Sequence, residues 1–157
     1  MNNLEELADL MFPDVKETVA EIEAKYPERN LPDGAEVTRF APSPTGFVHM
    51  GSLLSAFEDF KIAHDTNGVF YLRIEDTDSE RSVENGIEGI IKDLANFDIV
   101  PDEGVIGEFE EKGDYGPYVQ SERKHIYHVY AKDLVERGLA YPCFCTKEEL
   151  DETRKIQ

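Results

Sequence analysis

The stretch Pro42-Ser43-Pro44-Thr45-Gly46 constrains this chain more than any other feature. Two prolines one residue apart remove two backbone donors, and each pushes the residue before it out of the helical region. No helix can pass through such a stretch. Before it, Val37–Ala41 reads as a short strand. After it, Leu53, Phe57 and Phe60 recur at helical spacing, which predicts a helix from about Ser52 to Asp65, ended by Asn67-Gly68. Val69–Glu75 reads as a second strand, nearly continuously apolar up to Arg73, as a strand buried on both faces should be. Ile87, Ile90, Ile91 and Leu94 then predict a helix over about Glu84–Phe97. Strand, helix, strand, helix is the unit of a parallel α/β sheet, and the fold class expected is α/β with a Rossmann-like nucleotide-binding sheet. Ligands in such sheets bind beyond the carboxyl ends of the strands.

The flanks read as helical. Leu4, Leu7, Ala8 and Met11 form one stripe. Pro13 suits the first turn of a second helix carrying Val15, Val19, Ile22 and Tyr26. Pro27, Pro32, Asp33 and Gly34 predict a linker near 27–35. Toward the C-terminus, Ser121 reads as the N-cap of a helix to Arg137 closed by Gly138, Ala140–Cys145 as a strand, and Thr146 as the cap of a charged helix to Gln157.

The chain has 16 Lys and Arg against 34 Asp and Glu, a formal net charge of −18. Such a charge ordinarily argues against a polyanion partner. Its distribution matters more than its sum. Residues 1–36 carry −7 and residues 98–114 carry −6, whereas residues 121–157 are neutral. The acidity therefore concentrates in an N-terminal arm and one acidic loop, and a nucleic-acid-facing surface elsewhere stays open. No apolar run approaches the roughly 20 residues a membrane helix needs, and the N-terminus lacks the basic start and apolar stretch of a signal peptide. Two cysteines cannot make a disulfide scaffold, and a reducing, cytoplasmic location is expected.

Two polar clusters sit at the expected strand ends. The first runs from Arg39 through Pro42-Ser43-Pro44-Thr45-Gly46 to His49-Met50-Gly51-Ser52. A helix start offers unpaired N–H groups and partial positive charge, both suited to phosphate. His49 can donate to phosphate oxygens, Gly51 lets a flat base approach the backbone, and Ser52 caps the helix while offering a hydroxyl. His-x-Gly-Ser on its own is also an ordinary turn, a lone His and a capping Ser. The second cluster is Arg73-Ile74-Glu75-Asp76-Thr77-Asp78-Ser79-Glu80-Arg81. Read alone, it is an acidic strand end with Asp78 or Ser82 as a helix cap.

Together these strings resemble the bacterial-type class I glutamyl-tRNA synthetases. Arg39-Phe40-Ala41-Pro42-Ser43-Pro44-Thr45-Gly46 followed by His49-Met50-Gly51-Ser52 is similar to their first signature, in its Ser-ended form. Arg73-Ile74-Glu75-Asp76-Thr77-Asp78 matches at the expected spacing. Glutaminyl, archaeal and eukaryotic relatives typically read Pro-Pro-Glu-Pro at the first site, and the glutaminyl enzymes usually read Phe-Asp-Asp-Thr-Asn at the second. A pocket for glutamate must hold two carboxylates and one ammonium. Arg39 is planar and bidentate and suits the side-chain carboxylate. Glu75 can accept from the ammonium, and Ser43 with the backbone at Ala41 can line the rest. The resemblance assigns those same roles, and gives Thr45, His49, Gly51 and Ser52 to ATP. A buried Arg39 would also reject glutamine, which cannot repay its charge.

The resemblance implies ATP, accompanied by Mg²⁺, and as partners L-glutamate and the acceptor end of tRNA(Glu), with no membrane and no DNA. It also implies a division into an acidic helical extension (1–36), the first half of a Rossmann-like catalytic domain (37–119), and the start of an inserted acceptor-stem-binding domain (120–157). Gly116-Pro117-Tyr118-Val119-Gln120-Ser121-Glu122-Arg123 carries that last part of the resemblance. Cys143 and Cys145 form a Cys-x-Cys, half of a four-ligand zinc site, or simply two thiols. Zinc is expected only in a longer parent. The second signature, a Lys-Met-Ser-Lys-Ser type loop, is absent from the sequence. The expectation is therefore an N-terminal piece of a longer synthetase that does not aminoacylate by itself. Three rivals fit parts of the pattern: a short paralogue that glutamylates a modified tRNA base, a nucleotidyltransferase of the same superfamily, and a non-catalytic binding module that kept the fold.

Overall fold

A computed structural model of the chain describes residues 3–78 and 83–156. Ser79, Glu80, Arg81 and the alternative cap Ser82 lie outside the described residues. The chain forms two compact units, residues 20–126 and residues 1–19 with 127–157.

The larger unit is built on a sheet in the order β1 (Val37–Phe40), β2 (Val69–Leu72), β3 (Glu103–Gly107), β4 (Glu110–Lys112). The first three strands are parallel and β4 is antiparallel to β3. Helix α3 (Met50–Asp65) joins β1 to β2 and packs on both. Helix α4 (Gly86–Ala95) precedes β3 and packs on it. The predicted βαβα unit is present, with four differences.

The first is that α3 begins at Met50, and its buried stripe is Leu53, Ala56 and Ala63, with Phe60 set edge-on to Phe70 at 5.8 Å. Phe57 faces out at 49% exposure, because at about 100° per residue it lies to the far side of Leu53 from the rest of that stripe. The second is that the expected strand to Glu75 stops at Leu72. Arg73 interrupts it, and Ile74 resumes as a single parallel bridge to Val119. The third is that α4 is shorter than 84–97. It starts after Asn85, which sits in the left-handed region at φ 58°. The fourth is that the expected acidic loop is the β3–β4 hairpin. Gly104 makes the pairing of β3 possible. It has φ 111°, and a Cβ there would lie 2.1 Å from the Leu72 carbonyl oxygen.

One polar hub ties the start of this unit to the hairpin. Arg29, after α2 (Val19–Lys25), forks onto both oxygens of Glu103, with Nη2–Oε2 at 2.7 Å. Its guanidinium lies 3.7 Å from the centre of the Tyr115 ring. Glu103 also accepts from the Tyr118 hydroxyl at 2.8 Å. Tyr118 is 1% exposed. The Arg29 fork holds the Glu103 carboxyl below its usual range. Burial, then the bond to Glu103, pushes the Tyr118 phenol up to about 12.

In the smaller unit, α1 (Asn3–Met11) buries Ala8, the turn after it buries Val15, and α5 (Lys124–Glu136) buries Val129 and Val135. Lys132 Nζ bonds Asp9 at 2.6 Å and the Val15 carbonyl at 3.0 Å, and holds the Asp9 carboxyl low. Pro13 lies in a turn, not in a helix. Phe12 N–H still reaches back to Ala8, and Val15 N–H then closes onto Phe12, so the second helix starts only at Val19. A short 3₁₀ turn, Gln120–Arg123, precedes α5 where Ser121 was expected to cap it. Residues 140–145 form no strand. Thr146 does cap α6 (Lys147–Ile156): its hydroxyl accepts from Glu149 N–H, and Glu149 accepts from Thr146 N–H at 2.7 Å, a capping box.

Two outcomes follow from these contacts. Gly104→Ala should destabilise the fold by about 2 kcal/mol or more, through positive φ and the clash with β2, read as a lowered urea midpoint. On the alkaline side, Tyr118 keeps its proton longer when folded than an unfolded tyrosine of pKa about 10. Its stabilisation is complete below pH ~10 and is lost as pH rises toward ~12. Tyr118→Phe should remove that alkaline loss and cost about 1 kcal/mol at neutral pH, both read from denaturation midpoints measured against pH.

Candidate active site

The sequence places Arg39 near the end of one strand and Glu75 just past the end of the next. Parallel register pairs Phe40 with Leu72. The ladder then continues beyond the strands. Arg73 N–H bonds the Phe40 carbonyl at 3.0 Å, Glu75 N–H bonds Pro42 at 2.9 Å, and Val83 N–H bonds Pro44 at 3.0 Å. The prolines cannot donate, but their carbonyls accept. This carries Glu75 alongside the Pro-rich loop and opposite Arg39. Arg39 Nη1 stands 3.8 Å from Glu75 Oε1, and Arg73 Nη2 stands 3.4 Å from the same oxygen. Arg39 is 38% exposed and Glu75 34%, so the expected burial of Arg39 does not hold. Arg39 also lowers the pKa of the neighbouring Asp59, whose own desolvation and Glu58 more than offset it and leave it raised.

Beside this pair lies a cleft of about 300 Å³. Ala41, Ser43, Thr45, His49 and Ser52 line it, with Ile90 of α4. Arg39, Glu75 and Gly51 are not among its lining residues. His49 occupies the N-cap position of α3 in extended conformation, and no side chain caps the helix. Ser52 is therefore not the cap, because the helix starts two residues before it. The first ladder bond of the helix runs from Leu53 N–H to the His49 carbonyl at 2.9 Å. The N–H groups of Met50, Gly51 and Ser52 precede it, at the positive end of a 16-residue helix. A Cβ on Gly51 would meet nothing within 4 Å, so the protein's own packing does not demand glycine there.

Sequence reasoning gave no role to three residues of this site. Asp93, on α4, accepts from Val48 N–H at 3.2 Å and so holds the loop that presents His49. Arg73 flanks Glu75, and its buried Nε has no partner among the described residues. Phe47 is 87% exposed at the mouth of the cleft. Arg73 was legible as part of a motif, but Asp93 carries no local signal, since its contact lies 45 residues away.

Cys143 and Cys145 are both exposed. The Cys143 thiol beside Cys145 raises the pKa of the latter. Among the described residues no group of three or more His, Cys, Asp or Glu side chains could hold a metal ion. Two thiols alone do not fit a four-ligand zinc site. Among the described residues no helix is long and apolar enough to cross a membrane.

Comparison with known proteins agrees with this geometry. Residues 36–157 match the family model of the catalytic domain of class I tRNA synthetases (E and Q). The chain is 55% identical over 152 residues to the glutamate–tRNA ligase of Acetivibrio thermocellus, covering 96% of this chain and 28% of that protein. It is 50% identical over 153 residues to that of Clostridium perfringens strain 13, covering 98% and 28%. The chain thus spans just over a quarter of the length of these relatives. Among solved structures, a glutamate–tRNA ligase from Elizabethkingia meningosepticum in complex with its amino acid superposes with a TM-score of 0.68 at 42% identity, covering 79% of this chain and 24% of that one. With its parallel sheet, its two strand-end clusters and this family match, the chain belongs to the class I tRNA synthetases of the glutamate and glutamine type, as part of their catalytic domain.

Proposed function

We propose that the protein carrying this chain joins L-glutamate to tRNA(Glu) through glutamyl-adenylate, with ATP split to AMP and pyrophosphate, in the cytoplasm. The observation that carries this reading is the opposition of Arg39 and Glu75 across two parallel strand ends, 3.8 Å apart. A free amino acid with a carboxylate side chain needs one cationic and one anionic partner at fixed separation. Arg39 would bind the side-chain carboxylate as a fork, and Glu75 would accept from the ammonium. Ser43 and the Ala41 backbone line the adjoining cleft. The substrate's α-carboxylate then attacks the α-phosphorus of ATP, forming the acyl–oxygen–phosphorus bond as pyrophosphate leaves.

That carboxylate is already ionised at neutral pH, so the step needs no general base. What the protein supplies is positioning and charge stabilisation. His49 and the free N–H groups at Gly51 and Ser52 suit the α-phosphate, and Thr45 lines the same cleft. ATP brings Mg²⁺, which neutralises phosphate charge. In the second step a terminal ribose hydroxyl of tRNA takes the glutamyl group and releases AMP. The isolated 157-residue chain, whose sequence has no Lys-Met-Ser-Lys-Ser type loop, is proposed not to charge tRNA.

The test is glutamate-dependent ATP–pyrophosphate exchange by the complete protein, with tRNA present. Arg39→Ala should lower kcat/KM for glutamate by roughly a hundredfold or more, the scale of a lost charge-assisted contact. His49→Ala should lower kcat by about 10²-fold with little change in the KM for glutamate. Exchange that proceeds equally with other amino acids, or survives Arg39→Ala unchanged, would refute the assignment.

A further inference from the structure

We infer that Arg29, with Tyr26 and Pro27, forms a positioning strap for the amino-acid side of the site: it fixes the segment that fixes Glu75, and so sets affinity for the amino acid. This rests on the functional reading above. The strap lies outside residues 36–157, the part that the family model covers.

Four contacts make the strap. Arg29 forks onto Glu103 and lies over the Tyr115 ring. Tyr26 donates its hydroxyl to the Gly116 carbonyl at 2.8 Å. Tyr115 donates its hydroxyl to the Pro27 carbonyl at 2.9 Å. Arg29 and Glu103 are 15% and 18% exposed, so the pair is mostly screened from water, unlike an ordinary surface pair.

From Glu103 the contacts run on to the site without a gap. Glu103 accepts from the Tyr118 hydroxyl. The Tyr118 carbonyl accepts from Ile74 N–H at 2.9 Å, and Gln120 N–H bonds the Ile74 carbonyl at 2.8 Å. Ser121 bonds Asp76 twice, from its N–H at 2.8 Å and its hydroxyl at 2.6 Å. The residues on both sides of Glu75 are thus gripped by 118–121. Among the described residues, Glu75 has its own N–H on Pro42 and its loose contacts to the two arginines. Its placement is inherited from Ile74 and Asp76.

The nucleotide side is held by other groups. Asp93 fixes Val48, and the Pro44 carbonyl accepts from Val83. Among the described residues, no hydrogen bond or ion pair joins these groups to Tyr26, Pro27 or Arg29. A strap that serves the amino acid should therefore separate the two substrates kinetically. A strap that serves only stability should not.

The experiment compares Arg29→Gln, Arg29→Lys and Tyr26→Phe in the complete protein, with tRNA present. Arg29→Gln should raise the KM for glutamate by roughly two- to thirtyfold, the range of coupling carried through such contacts, and leave the KM for ATP within about twofold. Arg29→Lys keeps the charge but loses the fork, and should fall between wild type and Arg29→Gln. Tyr26→Phe removes one hydroxyl, so it keeps the test open where Arg29→Gln fails to fold. Amide hydrogen exchange at Ile74–Asp76 should quicken in each variant. An unchanged KM for glutamate beside a lowered melting temperature would overturn the proposal, as would parallel rises for both substrates or unaltered exchange at Ile74–Asp76. Wild-type protein inert toward glutamate would instead refute the functional reading, and the exchange data would still decide whether the strap orders Glu75.

Discussion

The site depends on a hydrogen-bond ladder that outlives its strands. β1 and β2 pair over only four residues each. The parallel ladder then continues through Arg73 to Phe40 and Glu75 to Pro42, where the backbone is no longer strand. A peptide group left unpaired at a strand end would need water. Here the Pro-rich loop supplies the acceptors, and its rigidity keeps them in line. One register therefore decides three things: which residues form the core, where the loop to α3 leaves the sheet, and which charge faces Arg39.

Magnitudes separate the charges that build the fold from those that do not. Arg39 and Glu75 are more than a third exposed and 3.8 Å apart. A pair of that kind contributes at most about 1 kcal/mol. Fold stability does not account for placing it at two converging strand ends. Arg29 and Glu103 are the opposite case, forked, mostly buried and bonded onward to Tyr118. Their charge is used inside the unit. The two pairs are linked through Tyr118 and Ile74, and only Arg39 and Glu75 stand open at the strand ends.

Much of this was legible in the sequence wherever a local rule governed. Prolines 42 and 44 forced the strand–loop–helix break, Asn67-Gly68 ended α3, the isoleucine spacing gave α4, and Thr146 read as the cap of α6. Local rules failed where tertiary contacts decided. Phe57 sits at helical spacing from Leu53 yet faces out, since the sheet meets the neighbouring stripe. Pro13 was a fair start for a helix, but the turn from Ala8 to Val15 needed the same residues. Asp93, Tyr26 and Arg29 act on partners 45, 90 and 74 residues away. No pattern in one sequence points across such distances.

The acidic segment 98–114 shows how composition misleads. Its charge of −6 reads as a solvated loop. In the structure three of its seven acids accept internal hydrogen bonds. Asp102 takes Phe70 N–H at 2.9 Å, Glu103 takes Arg29 and Tyr118, and Glu111 takes the N–H groups of Tyr118 and Val119 at 2.6 and 3.1 Å. Asp102 and Glu111 satisfy backbone donors, whereas Glu103 holds two side chains through both of its oxygens. Those three acids serve the fold, whereas Asp98, Glu108, Glu110 and Asp114 are exposed, so the charge of this segment is only in part a consequence of the fold.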